Sequence, residues 1–110
     1  MGWGMASGAV DFEYLEGFMA GDMQIVTEVL ALFQGQAEGW QVRLDSPAPG
    51  DWRDLAHTIK GAARGIGANA LGDVADRAER GDPAMAPELK RVLADALAEI
   101  EGYLTRIGGG

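Results

Sequence analysis

The sequence has no cysteine among its 110 residues. This absence excludes disulfide bonds and thiolate zinc sites, and nothing else in the composition indicates an oxidising compartment. No apolar run approaches the ~20 residues of a membrane-spanning helix. The amino-terminal residues lack the basic segment of a signal peptide, and Ala6 stands where a myristoylation signal needs Ser or Thr. We therefore expect a soluble protein of the reducing cytoplasm, without a membrane as partner.

Basic residues are also scarce: nine Lys and Arg stand against 17 Asp and Glu, which gives a formal net charge of −8 at pH 7. Such a charge repels nucleic acid, which is therefore not expected as a partner. The chain has one histidine, His57, and no nucleotide-binding glycine motif. Since these residues leave little material for acid–base or metal chemistry, a conventional enzyme is the least favoured class.

Helical periodicity runs through most of the sequence, and no strand-like alternation is found. The pattern predicts a short helix from a cap at Asp11 to about residue 20, and a long helix over about 23–44 after a cap at Asp22. The residues expected to be buried by these helices are Phe12, Leu15, Phe18 or Met19, Val26, Val29, Leu30, Phe33, Ala37, Trp40 and Leu44.

The second half of the chain predicts three more helices. The first is capped at Asp51 and ends near 65–67, the next is capped at Asn69 and ends at Gly81, and the last covers about 85–107. Because the connections between the long helices are short, successive helices are expected to be antiparallel neighbours. The expected fold class is all-α: an antiparallel up-down four-helix bundle with a short extra N-terminal helix.

Glycine is concentrated at both ends of the chain, where no periodicity is found. We expect residues 1–10 to form a flexible N-terminus and residues 108–110 a flexible C-terminus. Residues 11–107 then form one bundle, and a chain of this length removes roughly two-thirds of its unfolded surface from water.

His57 lies on the side of its helix that faces away from the predicted core. At about 100° per residue the core-facing stripe consists of Leu55, Ile59, Ala62 and Ile66, with Trp52 and Ala63 on its flanks. Arg53, Lys60, Gly61 and Arg64 project from the same half as His57. An exposed imidazole flanked by cations suits a phosphoryl carrier, and Gly61 leaves room beside the ring for a partner.

The same residues permit a simpler interpretation. The helix glycine is one of 17, and His57 is then an ordinary surface residue. The cations would belong to a solvated face, with Arg53 or Lys60 paired to Asp54 or Glu79. A motif needs structural context before it decides between two such interpretations.

Residues 56–71 resemble the signature of histidine-containing phosphotransfer (HPt) domains, which is His-x-Leu-Lys-Gly followed by small residues, a Gly and a Leu. Lys60 and Gly61 match the residues that recur after the histidine, and Ile59 replaces the usual Leu. The resemblance extends over nearly the whole chain, because members of the family are helical bundles of about this length with an exposed histidine midway along one helix.

The resemblance implies a role for each site residue. His57 is the expected phosphoacceptor through Nε2, and Glu79 on the following helix is expected to hold Nδ1 and fix the tautomer. Lys60 and Arg64 are expected to support the charge of the transferring phosphoryl group. The residues expected to bind the partner are Arg53, Lys60, Gly61 and Arg64.

The implied protein is a phosphocarrier rather than an enzyme with a substrate of its own. It carries a phosphoryl group between aspartates of receiver domains, or from a hybrid histidine kinase to a response regulator. A receiver domain and a hybrid kinase are therefore the expected partners of a monomeric chain. No cofactor of its own is expected, because Mg²⁺ belongs to the receiver domain of the partner.

Two other classes of protein remain open. One is a non-catalytic helical adaptor or dimerisation module, in which the apolar stripes of the long helices continue into a partner helix. Replacing His57 would leave such a function intact. The other is the phosphoacceptor domain of a sensor kinase, but those domains usually have an acidic residue directly after the histidine, where this chain has Thr58.

Overall fold

The computed structural model describes residues 8–108, which form five α-helices and no strand. The helices are α1 (Phe12–Phe18), α2 (Met23–Asp45), α3 (Trp52–Ile66), α4 (Asn69–Arg80) and α5 (Ala86–Gly108). Short 3₁₀ turns, Pro49–Asp51 and Pro83–Met85, precede α3 and α5. None of the helices in this part of the chain is long and apolar enough to span a bilayer.

Helices α2 to α5 form a four-helix bundle in which α3 and α4 have the most extensive mutual packing. These two helices are antiparallel, because Trp52 near the start of α3 contacts Ala78 near the end of α4, while Arg64 near the end of α3 lies against Gly72. The expected all-α bundle with a short additional N-terminal helix is confirmed.

Helix α1 lies across the end of the bundle at which the chain passes from α3 to α4. The amide of Asp11 donates to the carbonyl oxygen of Gly67 over 2.9 Å. On the other side of α1, the Phe12 ring stacks on Tyr103 of α5 with ring centroids 4.1 Å apart. Leu15 is fully buried between these contacts and the core, whereas Phe18 points into solvent.

Two of the predicted helix caps are confirmed, the one at Asp51 is correct in position but lacks the side-chain bond, and the one at Asn69 is wrong. Side chains of Asp11 and Asp22 accept backbone N–H groups at the starts of α1 and α2. Asp51 precedes α3 but makes no side-chain cap bond, because it already has helical backbone angles as the last residue of a 3₁₀ turn. Asn69 is the first residue of α4, and Ala68 occupies the cap position. The amide of Ala68 donates to the carbonyl oxygen of Ala63 at the end of α3, which places Ala68 directly before α4.

One continuous apolar core draws on all five helices. On α3 it contains Trp52, Leu55, Ala56, Ile59, Ala63 and Ile66. The predicted stripe is therefore correct except that Ala56 is buried and Ala62 is only half-buried. Tyr103 of α5 also belongs to the core, and its hydroxyl donates to the carboxylate of Glu16.

The ends of the chain were expected to be flexible over residues 1–10 and 108–110. Residues 1–7 and 109–110 lie outside the described residues. The backbone amides of Ala9 and Val10 donate to the two carboxylate oxygens of Glu99, over 3.2 and 3.1 Å, and Val10 is buried. Gly108 is the last residue of α5. Ordered contacts to the bundle thus begin before α1.

Candidate functional site

His57 lies midway along α3, and its side chain is 67% exposed. The ring is oriented by one contact, in which Nδ1 lies 3.1 Å from Oε2 of Glu79 on α4. A carboxylate only accepts hydrogen bonds, so this contact assigns the proton of the neutral ring to Nδ1. Nε2 then carries a lone pair, and it is the ring nitrogen left for a partner.

Glu79 contacts two residues of α3 with its two carboxylate oxygens. Its side chain is only 19% exposed, and Oε1 is shielded from solvent. Lys60 Nζ lies 2.8 Å from Oε1, at an angle better described as an ion pair than as a directed hydrogen bond. Lys60 first and His57 second lower the pKa of Glu79 against the opposing effect of burial. Glu79 is therefore an ionised acceptor at neutral pH.

Lys60 is more enclosed than its place in the polar half of α3 suggests. Its side chain is 20% exposed and leans onto α4, where Nζ also lies 3.3 Å from Oδ1 of Asp76. The contact with Glu79 and, next, that with Asp76 raise the pKa of Lys60 above its ordinary value of 10.5. The ion pair between Lys60 and Glu79 that the simpler interpretation left open is thus present.

Asp76 joins this cluster, although sequence reasoning did not identify it. Arg80, one turn later on α4, donates to its Oδ2 over 2.9 Å. Lys60 first, and Arg80 with it, hold the pKa of Asp76 below its usual range. A signal was available, since Asp76 and Glu79 are three residues apart and so share one face of α4.

The remaining predicted residues have different surroundings. Arg64 turns toward α4, where its stem lies so close to Gly72 that a Cβ there would be 2.9 Å from Arg64 Cγ. Its guanidinium is 3.7 Å from the carboxylate of Asp73. Arg53 is exposed, and a Cβ added to Gly61 would meet nothing within 4 Å. Two of the three cations predicted beside His57, Lys60 and Arg64, are therefore paired with acids of α4, whereas the open space at Gly61 is present.

A family model for the Hpt domain matches residues 24–103, which include all of α3 and α4. The chain belongs to the Hpt domain family. The solved structure of the histidine phosphotransferase ShpA from Caulobacter crescentus has a similar fold, with a TM-score of 0.78. The two sequences are 48% identical, and the match covers 90% of this chain and 93% of that one. A comparison with curated proteins found no match.

Family membership gives this Hpt domain a histidine phosphotransfer role in a phosphorelay, as the resemblance implied. The geometry is consistent with that role, because the domain presents one imidazole with a fixed tautomer on an accessible helix face. Within residues 8–108, no cluster of three or more His, Asp or Glu side chains is arranged to hold a metal ion.

Proposed function

We propose that His57 carries the phosphoryl group and exchanges it with aspartates of receiver domains. The observation that carries this proposal is the contact between Nδ1 and Glu79 on a ring that is otherwise exposed. It supplies what a nitrogen nucleophile needs, which is a lone pair on the accessible nitrogen and a proton held on the other.

In the proposed step, the Nε2 lone pair of His57 attacks the phosphorus of an aspartyl phosphate on the partner. A bond forms between Nε2 and phosphorus, the bond from phosphorus to the aspartate oxygen breaks, and its electron pair returns to the carboxylate. Because Nδ1 keeps its proton, the phosphorylated ring carries a positive charge. Glu79 faces that charge and favours the step, and the reverse step discharges the ring.

Charge on the transferring phosphoryl oxygens needs cationic support. Lys60 and Arg64 are the proposed sources on this chain, each shared with a carboxylate of α4. Mg²⁺ is assigned to the receiver domain of the partner, where it would neutralise the same oxygens, and no cofactor is assigned to this chain. Exposed Arg53 and the open space at Gly61 are assigned to the contact with the partner.

The proposed setting is the cytoplasm, with a hybrid histidine kinase upstream or a response regulator downstream. The chain acts there as a monomeric phosphocarrier without a substrate of its own. This assignment is supported by a site built from residues of one chain, which needs no residue from a second copy.

The test is transfer from a phosphorylated receiver domain, or from a hybrid kinase with ATP and Mg²⁺, followed by intact mass. We expect one added phosphoryl group that is lost in acid, is stable in mild base and is absent from His57→Gln. Since His57 is the one histidine of the chain, a phosphohistidine has one possible site, and absence of the adduct from His57→Gln excludes phosphorylated lysine or arginine. Several donors that charge a known carrier but leave this protein unmodified would favour the helical adaptor instead.

A further inference from the structure

Asp76 has no part in the reaction proposed for His57. It nevertheless contacts Lys60, one of the two cations proposed to support the phosphoryl group. We propose that Asp76 is a positioning residue that holds the Lys60 ammonium at the edge of the His57 site, so that one N–H of Lys60 is aimed at the transferring phosphoryl group. This inference rests on the proposed role of His57.

The orientation of the Lys60 ammonium is limited by the partners of its N–H groups. Lys60 Nζ has three N–H groups and no acceptor. One N–H donates to Asp76 Oδ1 over 3.3 Å, and Glu79 Oε1 holds the ammonium as an ion pair 2.8 Å away, both from α4. At least one N–H is left for another acceptor. A lysine held by a single carboxylate would keep much of its rotational freedom, and the second carboxylate removes it.

Asp76 is itself fixed. One oxygen faces Lys60, and Arg80 Nη2 donates to the other over 2.9 Å. Arg80 Nε also donates to the backbone carbonyl of Asp76 over 3.3 Å. The lowered pKa of Asp76 keeps this carboxylate ionised at neutral pH. Arg80 therefore fixes Asp76, and Asp76 in turn holds Lys60, which lies three residues after His57 on the same helix.

The kinetic test compares Asp76→Asn with Asp95→Asn. Asp95 lies on α5 and pairs with Arg91 four residues away, as Asp76 does with Arg80, so both variants lose one charge and one helical ion pair. We expect phosphotransfer to His57 to slow by about two- to fivefold in Asp76→Asn, the size of a partly exposed ion-pair effect. We expect Asp95→Asn to transfer at the wild-type rate.

Repeating the substitution in a Lys60→Met background shows whether Asp76 acts through the lysine. If it does, Asp76→Asn has no further effect there, since the interaction that it disturbs is already gone. A loss of the same size in both backgrounds would overturn the proposal.

A second readout needs no phosphoryl transfer. The chain has two lysines, Lys60 and Lys90, so selective labelling makes the Lys60 side chain easy to follow by NMR. We expect Asp76→Asn to lower the pKa of Lys60, because the contact with Asp76 is one of the causes that raise it. A response of Lys60 without any change in transfer rate would overturn the positioning role.

Failure of the function on which the inference rests gives a different result. A wild-type protein that accepts no phosphoryl group from any donor would overturn both the proposed function and the role of Asp76, whatever the Lys60 titration shows. Transfer to His57 that proceeds at one rate in wild type and Asp76→Asn would overturn the role of Asp76 alone.

Discussion

The indole Nε1–H of Trp52 donates to the backbone carbonyl oxygen of Ala78 over 2.7 Å, within the core between α3 and α4. Trp52 begins the helix that carries His57, and Ala78 directly precedes Glu79. This bond therefore helps to set the register in which the imidazole and its carboxylate partner meet.

We expect Trp52→Phe to lower the free energy of unfolding by about 1–2 kcal/mol, since it removes a buried hydrogen bond and leaves a small cavity. This loss is at the lower end for a buried hydrogen bond and cavity, because the Ala78 carbonyl still accepts a hydrogen bond from the Gly81 amide. Urea unfolding followed by circular dichroism measures the change. Trp40→Phe is the control, because Trp40 is equally buried and makes no indole hydrogen bond to residues 8–108. Equal losses in both variants would contradict a contribution from the bond.

Glu79 is expected to fix the tautomer of His57. In Glu79→Ala the ring loses its Nδ1 acceptor, so we expect more of the form that is protonated at Nε2 and slower phosphotransfer, by roughly 10-fold, at the low end for an orienting partner. Ring ¹⁵N shifts of the single histidine report the tautomer directly. Glu79→Gln retains a carbonyl oxygen and should keep more of both properties. An unchanged tautomer in Glu79→Ala would contradict the assignment.

Apolar periodicity was sufficient to predict the fold, because burial of residues such as Leu30 and Leu93 dominates the energy of a small bundle. The separation of Glu79 from His57 came from the family resemblance, and the contact between them is present. The direction of the Lys60 side chain could not be predicted from the sequence. A long cation on the flank of a helix can turn either way, and acids of another helix decide which.

Helix starts show a second limit of sequence reasoning. An Asp or Asn side chain caps a helix only when its own backbone is outside the helix. For Asp51 and Asn69 that backbone is set by the turns preceding them, whose geometry depends on how α3 is seated in the bundle. Asp11 and Asp22 have backbone angles outside the helix, and there the side-chain pattern was a sufficient guide.

Gly61 is expected to serve access rather than stability. No neighbour lies within 4 Å of a Cβ at this position, so Gly61→Ala should raise the free energy of unfolding by about 1 kcal/mol, the usual gain within an exposed helix. Gly61→Gln should also be at least as stable as wild type but should slow phosphotransfer, because its side chain fills the space next to the imidazole. Thermal unfolding and the transfer assay measure the two effects. Transfer at the wild-type rate in Gly61→Gln would show that the partner does not use this space.

Tyr103 anchors α1 through two contacts, and we expect this anchoring to depend on pH. Its hydroxyl donates to the Glu16 carboxylate and its ring stacks on Phe12. Burial first, and then the bond to Glu16, raise the pKa of Tyr103 to about 12. In the unfolded chain a tyrosine titrates near pH 10. Folding therefore favours the neutral hydroxyl, so this stabilisation is complete below about pH 10 and is lost as the pH rises toward 12.

Tyr103→Phe should accordingly cost about 1 kcal/mol near neutral pH, the net value of one hydrogen bond, and the difference from wild type should shrink between pH 10 and pH 12. The measurement is the free energy of unfolding of both proteins across that range. Taking the difference matters because Lys60 also loses its proton in alkali and affects both proteins equally. Tyr14→Phe is the control, since Tyr14 is exposed on α1 and should follow wild type at every pH. If the difference in free energy of unfolding between wild type and Tyr103→Phe stays constant up to pH 12, ionisation of the Tyr103 hydroxyl does not affect stability.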